Sequence, residues 1–268
     1  MLNFISQLAE PNILEKAFSM GLFFVVVGYQ FLLFCYFLLI KYRKTRKIYW
    51  LYFSLFFLFI ALSRVFFIIY DFTFPYAEEL VQARPLLPLL INRWAQFTGW
   101  IAVATLVGIL STLLFTKEDD KIHRILRIVF PSIVVVISLL WFILPDYLLI
   151  DPEYYMYMEP YDIDHGLGEI QTILGKAVGL FVLNYVILSI LSFLLPFLFF
   201  YLAAKSVGVI QKSSILNGLG FLTYYIGRSL QPLLKWTERS VLTQGLLPPL
   251  IILLGLLFLA LGNLIMQS

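Results

Sequence analysis

Seven stretches of the 268-residue sequence are long and apolar enough to cross a lipid bilayer. A membrane-spanning helix needs about 20 mostly apolar residues, and its backbone polar groups must be satisfied internally because lipid offers no hydrogen bonds. The sequence therefore predicts an all-α polytopic membrane protein with seven transmembrane helices. These are Phe18–Ile40, Ile48–Tyr70, Ile91–Phe115, Ile128–Ile150, Ala177–Ala204, Ser214–Leu234 and Leu246–Met266.

The composition excludes a soluble globule. Hydrophobic residues make up 61% and charged residues 13% of the chain, against about 45–50% and about 25% in soluble domains. The segment before the first stretch lacks the basic start of a cleavable signal, so we expect that helix to be retained. We predict one transmembrane domain over residues 1–268, without a soluble domain.

Lysine and arginine residues are sorted by side of the predicted membrane. Of the 19, eleven lie beside or in the loops after the first, third and fifth stretches. Six lie on the opposite side, including Arg93 at the outer end of the third stretch, and the remaining two, Arg64 and Arg228, lie deeper within stretches. Only three of the 16 acidic residues, Glu118, Asp119 and Asp120, share the side of the eleven. Because short loops rich in Lys and Arg remain cytoplasmic, we predict a cell-membrane protein with its amino terminus outside and its carboxyl terminus inside. Basic residues sorted in this way do not indicate nucleic acid.

A parallel repeat is a structural hypothesis. Aligning Arg64 with Arg228, which are 164 positions apart, also aligns Lys41 with Lys205. The relation would be three-plus-one-plus-three, with helices one to three matching helices five to seven, as in some transporters. Chance similarity among Phe- and Leu-rich helices is the alternative explanation.

Polar stripes on three predicted helices indicate a binding site. Arg64 and Arg228 lie within spans, where charged groups are costly and usually face a cavity or the bundle interior. Residues three, four or seven positions apart share a helix face, which places further polar groups beside them. We therefore predict an outward-facing pocket that binds a small, anionic or lipidic ligand, since guanidinium groups suit carboxylate and phosphate. Its candidate residues are Arg64, Asp71, Arg93, Gln96, Arg228 and Gln231.

Simpler explanations stand beside this one. Each arginine could extend to the membrane interface, and Arg64 could pair with Asp71. The polar midplane residues are expected to bond across helices as packing contacts; they are Gln30, Asn184, Ser189 and Tyr224 or Tyr225.

Two charged segments invite further hypotheses. The basic segment Lys41–Lys47 would contact anionic lipid headgroups or a cytoplasmic or membrane protein partner, although topology alone accounts for it. The acidic, tyrosine-rich loop Asp151–Glu169 weakly resembles the start of a calcium loop. An ordinary solvated loop is the alternative, and we predict no metal or cofactor.

The sequence contains no catalytic set. Its two histidines, His123 and His165, fall on opposite sides of the predicted membrane and cannot share a zinc ion. We expect a non-enzymatic, receptor- or sensor-like protein. A facilitative small-solute transporter and a non-catalytic subunit of a membrane complex are the alternatives. A transporter needs a polar track through the whole membrane, whereas a receptor pocket is closed at one end.

Overall fold

The computed structural model describes residues 11–73, 86–115, 121–145, 148–149, 172–173, 176–235 and 241–265. The described chain is helical apart from one two-residue antiparallel hairpin, β1 (Thr172–Ile173) and β2 (Lys176–Ala177). The helices are α1 (Pro11–Cys35), α2 (Arg43–Thr45), α3 (Ile48–Ile68), α4 (Leu86–Leu114), α5 (Lys121–Ser138), α6 (Leu140–Ile143), α7 (Val178–Leu180), α8 (Leu188–Lys205), α9 (Val209–Lys235) and α10 (Val241–Ile265). Wider π-helical turns occupy Tyr36–Tyr42, Ile69–Thr73 and Phe181–Ile187.

Six helical segments in the described residues are long and apolar enough to cross a membrane, which identifies a helical, membrane-embedded fold. They are Ala17–Thr45, Ile48–Ile68, Leu87–Leu114, Lys121–Ile143, Val178–Lys205 and Gly245–Ile265. Helix α9, which contains the sixth predicted span, is also long but is the least apolar of the long helices. The count of seven spans therefore stays a prediction.

The fourth predicted span is displaced toward the amino terminus. The sequence predicts a helix over Ile128–Ile150, whereas the helical segment runs from Lys121 to Ile143. Leu144 adopts an extended backbone conformation because it precedes Pro145, and a residue before proline is disfavoured in a helix. The helix therefore ends at Ile143.

The chain divides into two compact units, one comprising Tyr36–Leu191 and the other Met1–Cys35 together with Ser192–Ser268. The first is called the central unit and the second the terminal unit. This division does not coincide with the halves of the hypothetical repeat.

Helix α4 is the middle element of the central unit and the most buried of the six apolar segments. It runs antiparallel to α3, because Gly108 lies against Tyr52 while the Ser63 hydroxyl donates to the Ala95 carbonyl at 2.7 Å. Toward the amino-terminal end of α3, the ring of Phe37 stacks against Trp50 and Phe57. The distances between ring centroids are 5.7 Å to Trp50 and 5.6 Å to Phe57.

The terminal unit is built on the antiparallel pair α9 and α10. A Cβ added to Gly255 would lie 2.6 Å from the Tyr224 backbone nitrogen and 2.8 Å from the Gly220 carbonyl oxygen. The two backbones meet there because glycine has no side chain, as at close helix crossings in membranes. Helix α1 lies on this pair, and the Ser19 hydroxyl donates to the Gly245 carbonyl at 3.1 Å.

Candidate functional site

A polar stripe on α4 contacts two other helices of the central unit. Arg93, Gln96 and Trp100 follow one another at spacings of three and four residues, so they share one face. Arg93 bonds to the end of α6, while Gln96 and Trp100 are connected through Asn184 on the π-helical turn before α8. The predicted stripe is therefore present, and it faces protein rather than lipid.

The Arg93 guanidinium satisfies backbone carbonyls where the fourth apolar segment ends. Its two terminal nitrogens donate to the carbonyl oxygens of Trp141 and Leu144, each at 3.0 Å. In a continuing helix the Trp141 carbonyl would accept from the N–H four residues later, but Pro145 has no N–H. Arg93 supplies the missing donor, and a cation at a helix carboxyl end is also favoured by the helix dipole.

Gln96, Asn184 and Trp100 form a chain of hydrogen bonds. The Trp100 indole N–H donates to Asn184 Oδ1 at 3.4 Å, and Asn184 Nδ2 donates to Gln96 Oε1 at 3.1 Å. Gln96 is 9% exposed and Trp100 is 1% exposed. We call these three side chains the amide relay.

The amide relay borders an apolar cluster of the central unit that contains two tryptophans. Trp141 is fully buried, and its indole Nε1 has no hydrogen-bond partner among the described residues. The buried members of the cluster are Trp100, Val103, Ala104, Val134, Trp141, Leu149, Leu180, Leu183 and Leu188. The polar stripe thus adjoins a packed apolar cluster that contains one buried N–H group without a partner among the described residues.

Arg64 lies at the same level of the central unit as this stripe. Its neighbour Ser63 bonds to Ala95, and Ala95 directly precedes Gln96 in the chain. The Arg64 side chain is half-buried and engaged in contacts. The structure therefore brings the α3 and α4 candidates to one depth within this unit.

The remaining candidates are distributed differently. Arg228 is half-buried on α9 in the terminal unit, so its predicted meeting with Arg64 stays a prediction. The side chains of Asp71 and Gln231 lie outside the described residues, although their backbones belong to helical segments.

Two of the predicted packing residues, Asn184 and Gln30, have different outcomes. Asn184 bonds across helices to Gln96, as expected. Gln30 does not: it is fully buried, and neither its oxygen nor its nitrogen has a hydrogen-bond partner among the described residues. Its regular spacing with Phe23, Val26 and Leu33 on the buried face of α1 explains its burial. A polar residue on such a face is visible in the sequence, but its partner is not.

The basic segment separates into a buried and an exposed part. Lys41 is 8% exposed, and its amine lies 5.2 Å from the centroid of the Trp50 ring, a favourable cation–π distance. Residues 43–47 are exposed. Helix α2 ends there because Arg46 adopts a left-handed backbone conformation, with φ 57°. Residues 43–47 are therefore the exposed part of the predicted basic segment.

No group of three or more histidine, cysteine, aspartate or glutamate side chains in the described chain could hold a metal ion. The acidic loop Asp151–Glu169 lies outside the described residues, and its metal hypothesis stays open. Comparisons with protein-family models, curated proteins and solved structures found no match to this chain.

Proposed function

We propose that this chain is a receptor- or sensor-like membrane protein that binds a small ligand at the polar stripe of α4. The observation that carries the proposal is the meeting of Gln96, on the same face of α4 as Arg93, with Asn184 on the π-helical turn before α8, beside a buried apolar cluster. Polar groups in membrane helices are costly and concentrate where ligands, ions or partner helices are bound. Arg64, at the same level, completes the site with a second guanidinium.

Seven spans and an outside amino terminus complete the proposal. Helix α9 would be the additional span, since its 27 residues exceed the length that a bilayer requires. Under the predicted charge asymmetry, the carboxyl ends of α1 and α8 would face the cytoplasm, and the amino-terminal end of α4, with Arg93, would face the outside of the cell. The three-plus-one-plus-three repeat rests on the offset of 164 positions that aligns Arg64 with Arg228 and Lys41 with Lys205.

The exposed turn at residues 43–47 would transmit a signal to a partner or anchor the protein to the membrane surface. Arg43, Lys44, Arg46 and Lys47 are exposed around Thr45, whose hydroxyl donates to the Lys41 carbonyl at 2.8 Å and fixes the turn. Four cations on one short turn suit anionic lipid headgroups or an acidic surface on a cytoplasmic partner. Movement of helices at the ligand site would reach this turn through α3.

Ligand-dependent thermal stabilisation tests the binding function. The purified protein is heated with decanoate or with inorganic phosphate, and the variants Arg64→Ala and Arg124→Ala are compared. Ligand at about a hundred times its Kd stabilises a protein by about 2.7 kcal/mol. We expect such a shift for the natural sequence with at least one of the two ligands.

Arg64→Ala should abolish this ligand-dependent shift, and Arg124→Ala should preserve it because Arg124 is exposed at the other end of the central unit. Equal responses of the two variants would contradict a role for Arg64, and no response of the natural sequence would contradict the proposed site.

A further inference from the structure

The amide relay has a fixed direction because one of its ends can only donate. An indole has an N–H and no acceptor, so Asn184 must turn its oxygen toward Trp100. The Asn184 amide nitrogen therefore faces Gln96, and Gln96 must accept with its oxygen. The Gln96 amide nitrogen is consequently left at the free end of the relay.

The free end of the relay is a donor without a partner. Gln96 Nε2 makes no hydrogen bond within the described residues, although the side chain is only 9% exposed. A second unpartnered donor, Trp141 Nε1, belongs to the apolar cluster that also contains Trp100. Gln96 Nε2 is not fully buried, so a ligand can reach it. A donor left without a partner in a low-dielectric surrounding is costly, so a ligand that accepts from this N–H group is favoured.

We infer that the site selects ligands by hydrogen-bond polarity: it binds an apolar molecule whose head presents an oxygen acceptor, such as an acyl ester carbonyl or a carboxylate, to Gln96 Nε2. The inference rests on the proposed function and specifies its ligand class. A head that offers only N–H donors cannot bond to Gln96 Nε2, because both groups are donors and neither supplies an acceptor. The chain of the ligand would lie against the half-buried side chains of Phe97 and Ile187, which pack on the apolar cluster beside the relay.

Three ligands with the same ten-carbon chain test this polarity. Methyl decanoate has an acceptor-only head, decylammonium has a donor-only head, and decane has neither. Binding is measured by the change in tryptophan fluorescence of the full-length protein in lipid nanodiscs. We expect methyl decanoate to bind about tenfold more tightly than decylammonium, because one well-placed hydrogen bond in an apolar site is worth about a factor of ten.

Two variants should invert the preference by different routes. In Asn184→Asp the new carboxylate accepts from both Trp100 and Gln96, so the Gln96 amide turns and presents its oxygen to the ligand. In Gln96→Glu a carboxylate oxygen replaces the donor directly. Gln96→Met retains the length of the side chain without its amide group. In this variant the affinities for methyl decanoate and decylammonium should be nearly equal.

A matched control lies in the terminal unit. Asn217 Oδ1 accepts from Asn263 Nδ2 at 2.9 Å, and Asn217→Asp keeps that acceptor while adding a buried carboxylate. This variant should retain the preference of the natural sequence. Monodisperse elution and unchanged helical circular dichroism identify the variants that remain folded, and Gln96→Met suffices if both inverting variants fail to fold.

The outcomes separate the inference from the function on which it rests. If methyl decanoate is preferred and the preference is lost or inverted in the Gln96 and Asn184 variants, the inference holds. If the natural sequence binds both polar ligands equally, or prefers decylammonium, the polarity inference is wrong while a binding site remains. If none of the three ligands binds, the proposed binding function fails as well.

Discussion

At the scale of single residues, the sequence locates polar groups more reliably than their partners. The stripe of Arg93, Gln96 and Trp100 follows from helical spacing, and the structure retains it. The attachment of Arg93 to two carbonyls depends on where the following helix ends in space, which spacing within α4 does not reveal. One signal was present: Pro145 deprives the carbonyl four residues earlier of its usual donor.

Loss of Arg93 should therefore destabilise the fold, because the backbone carbonyls of Trp141 and Leu144 lose their donor. Two hydrogen bonds from a charged donor are removed, each worth about 1.5–3 kcal/mol. We expect Arg93→Leu to lower the free energy of unfolding by roughly 3 kcal/mol. The change is measured by SDS titration in mixed micelles. The exposed Arg124→Leu should stay within about 0.5 kcal/mol of the natural sequence.

Pro145→Ala supplies the control for that mechanism. An alanine at this position restores an N–H four residues after Trp141, so the helix can satisfy that carbonyl itself. In a double-mutant cycle, Arg93→Leu should cost about half as much in the Pro145→Ala background, because one of the two carbonyls regains a donor. An undiminished cost would show that the two carbonyl bonds are not what Arg93 contributes.

At the scale of helices, apolar length was sufficient to predict most elements but not all of their limits. The segments around α1, α3, α4, α8 and α10 fall close to the predicted stretches. The fourth segment is shifted because Pro145 stops it while the sequence remains apolar beyond it. Helix α9 runs from Val209 to Lys235 and so exceeds the predicted stretch Ser214–Leu234 at both ends. The added turns contain polar residues, which can continue a helix but do not lengthen its apolar stretch.

Close contact between α9 and α10 should depend on Gly255. A Cβ at this position would lie 2.6 Å from a backbone nitrogen, and a backbone cannot move aside as a flexible side chain can. We expect Gly255→Ala to destabilise the protein by about 1–3 kcal/mol, the usual cost of overpacking. Thermal unfolding in detergent measures this change.

Gly28→Ala is the matched control for Gly255→Ala, because an added Cβ at Gly28 meets nothing within 4 Å. Alanine is favoured over glycine in a helix by up to about 1 kcal/mol, so this variant should be neutral or slightly stabilised. A similar loss of stability in both variants would contradict the close-packing explanation.

At the scale of the whole molecule, the charges carry more information than the apolar residues. The 61% of hydrophobic residues identifies a membrane protein, whereas the distribution of 19 basic residues predicts its orientation. The sequence also predicts candidates on α3, α4 and α9, and those on α3 and α4 share one level of the central unit. The division into two units does not follow from the sequence, because it depends on which helix faces meet, and apolar helices present similar faces all round.

The most direct test of an outward-facing site is the side from which position 96 can be reached. In a Cys35→Ser background, Gln96→Cys places one thiol in the site, and Thr45→Cys places one in the exposed basic turn. Both are treated with a charged, membrane-impermeant thiosulfonate, first on sealed right-side-out vesicles and then on inside-out vesicles. The account predicts that the thiol at position 96 reacts in right-side-out vesicles only and that the thiol at position 45 reacts in inside-out vesicles only. Reaction at position 96 from both sides would indicate the transporter alternative, and reaction in inside-out vesicles alone would contradict the outward-facing site.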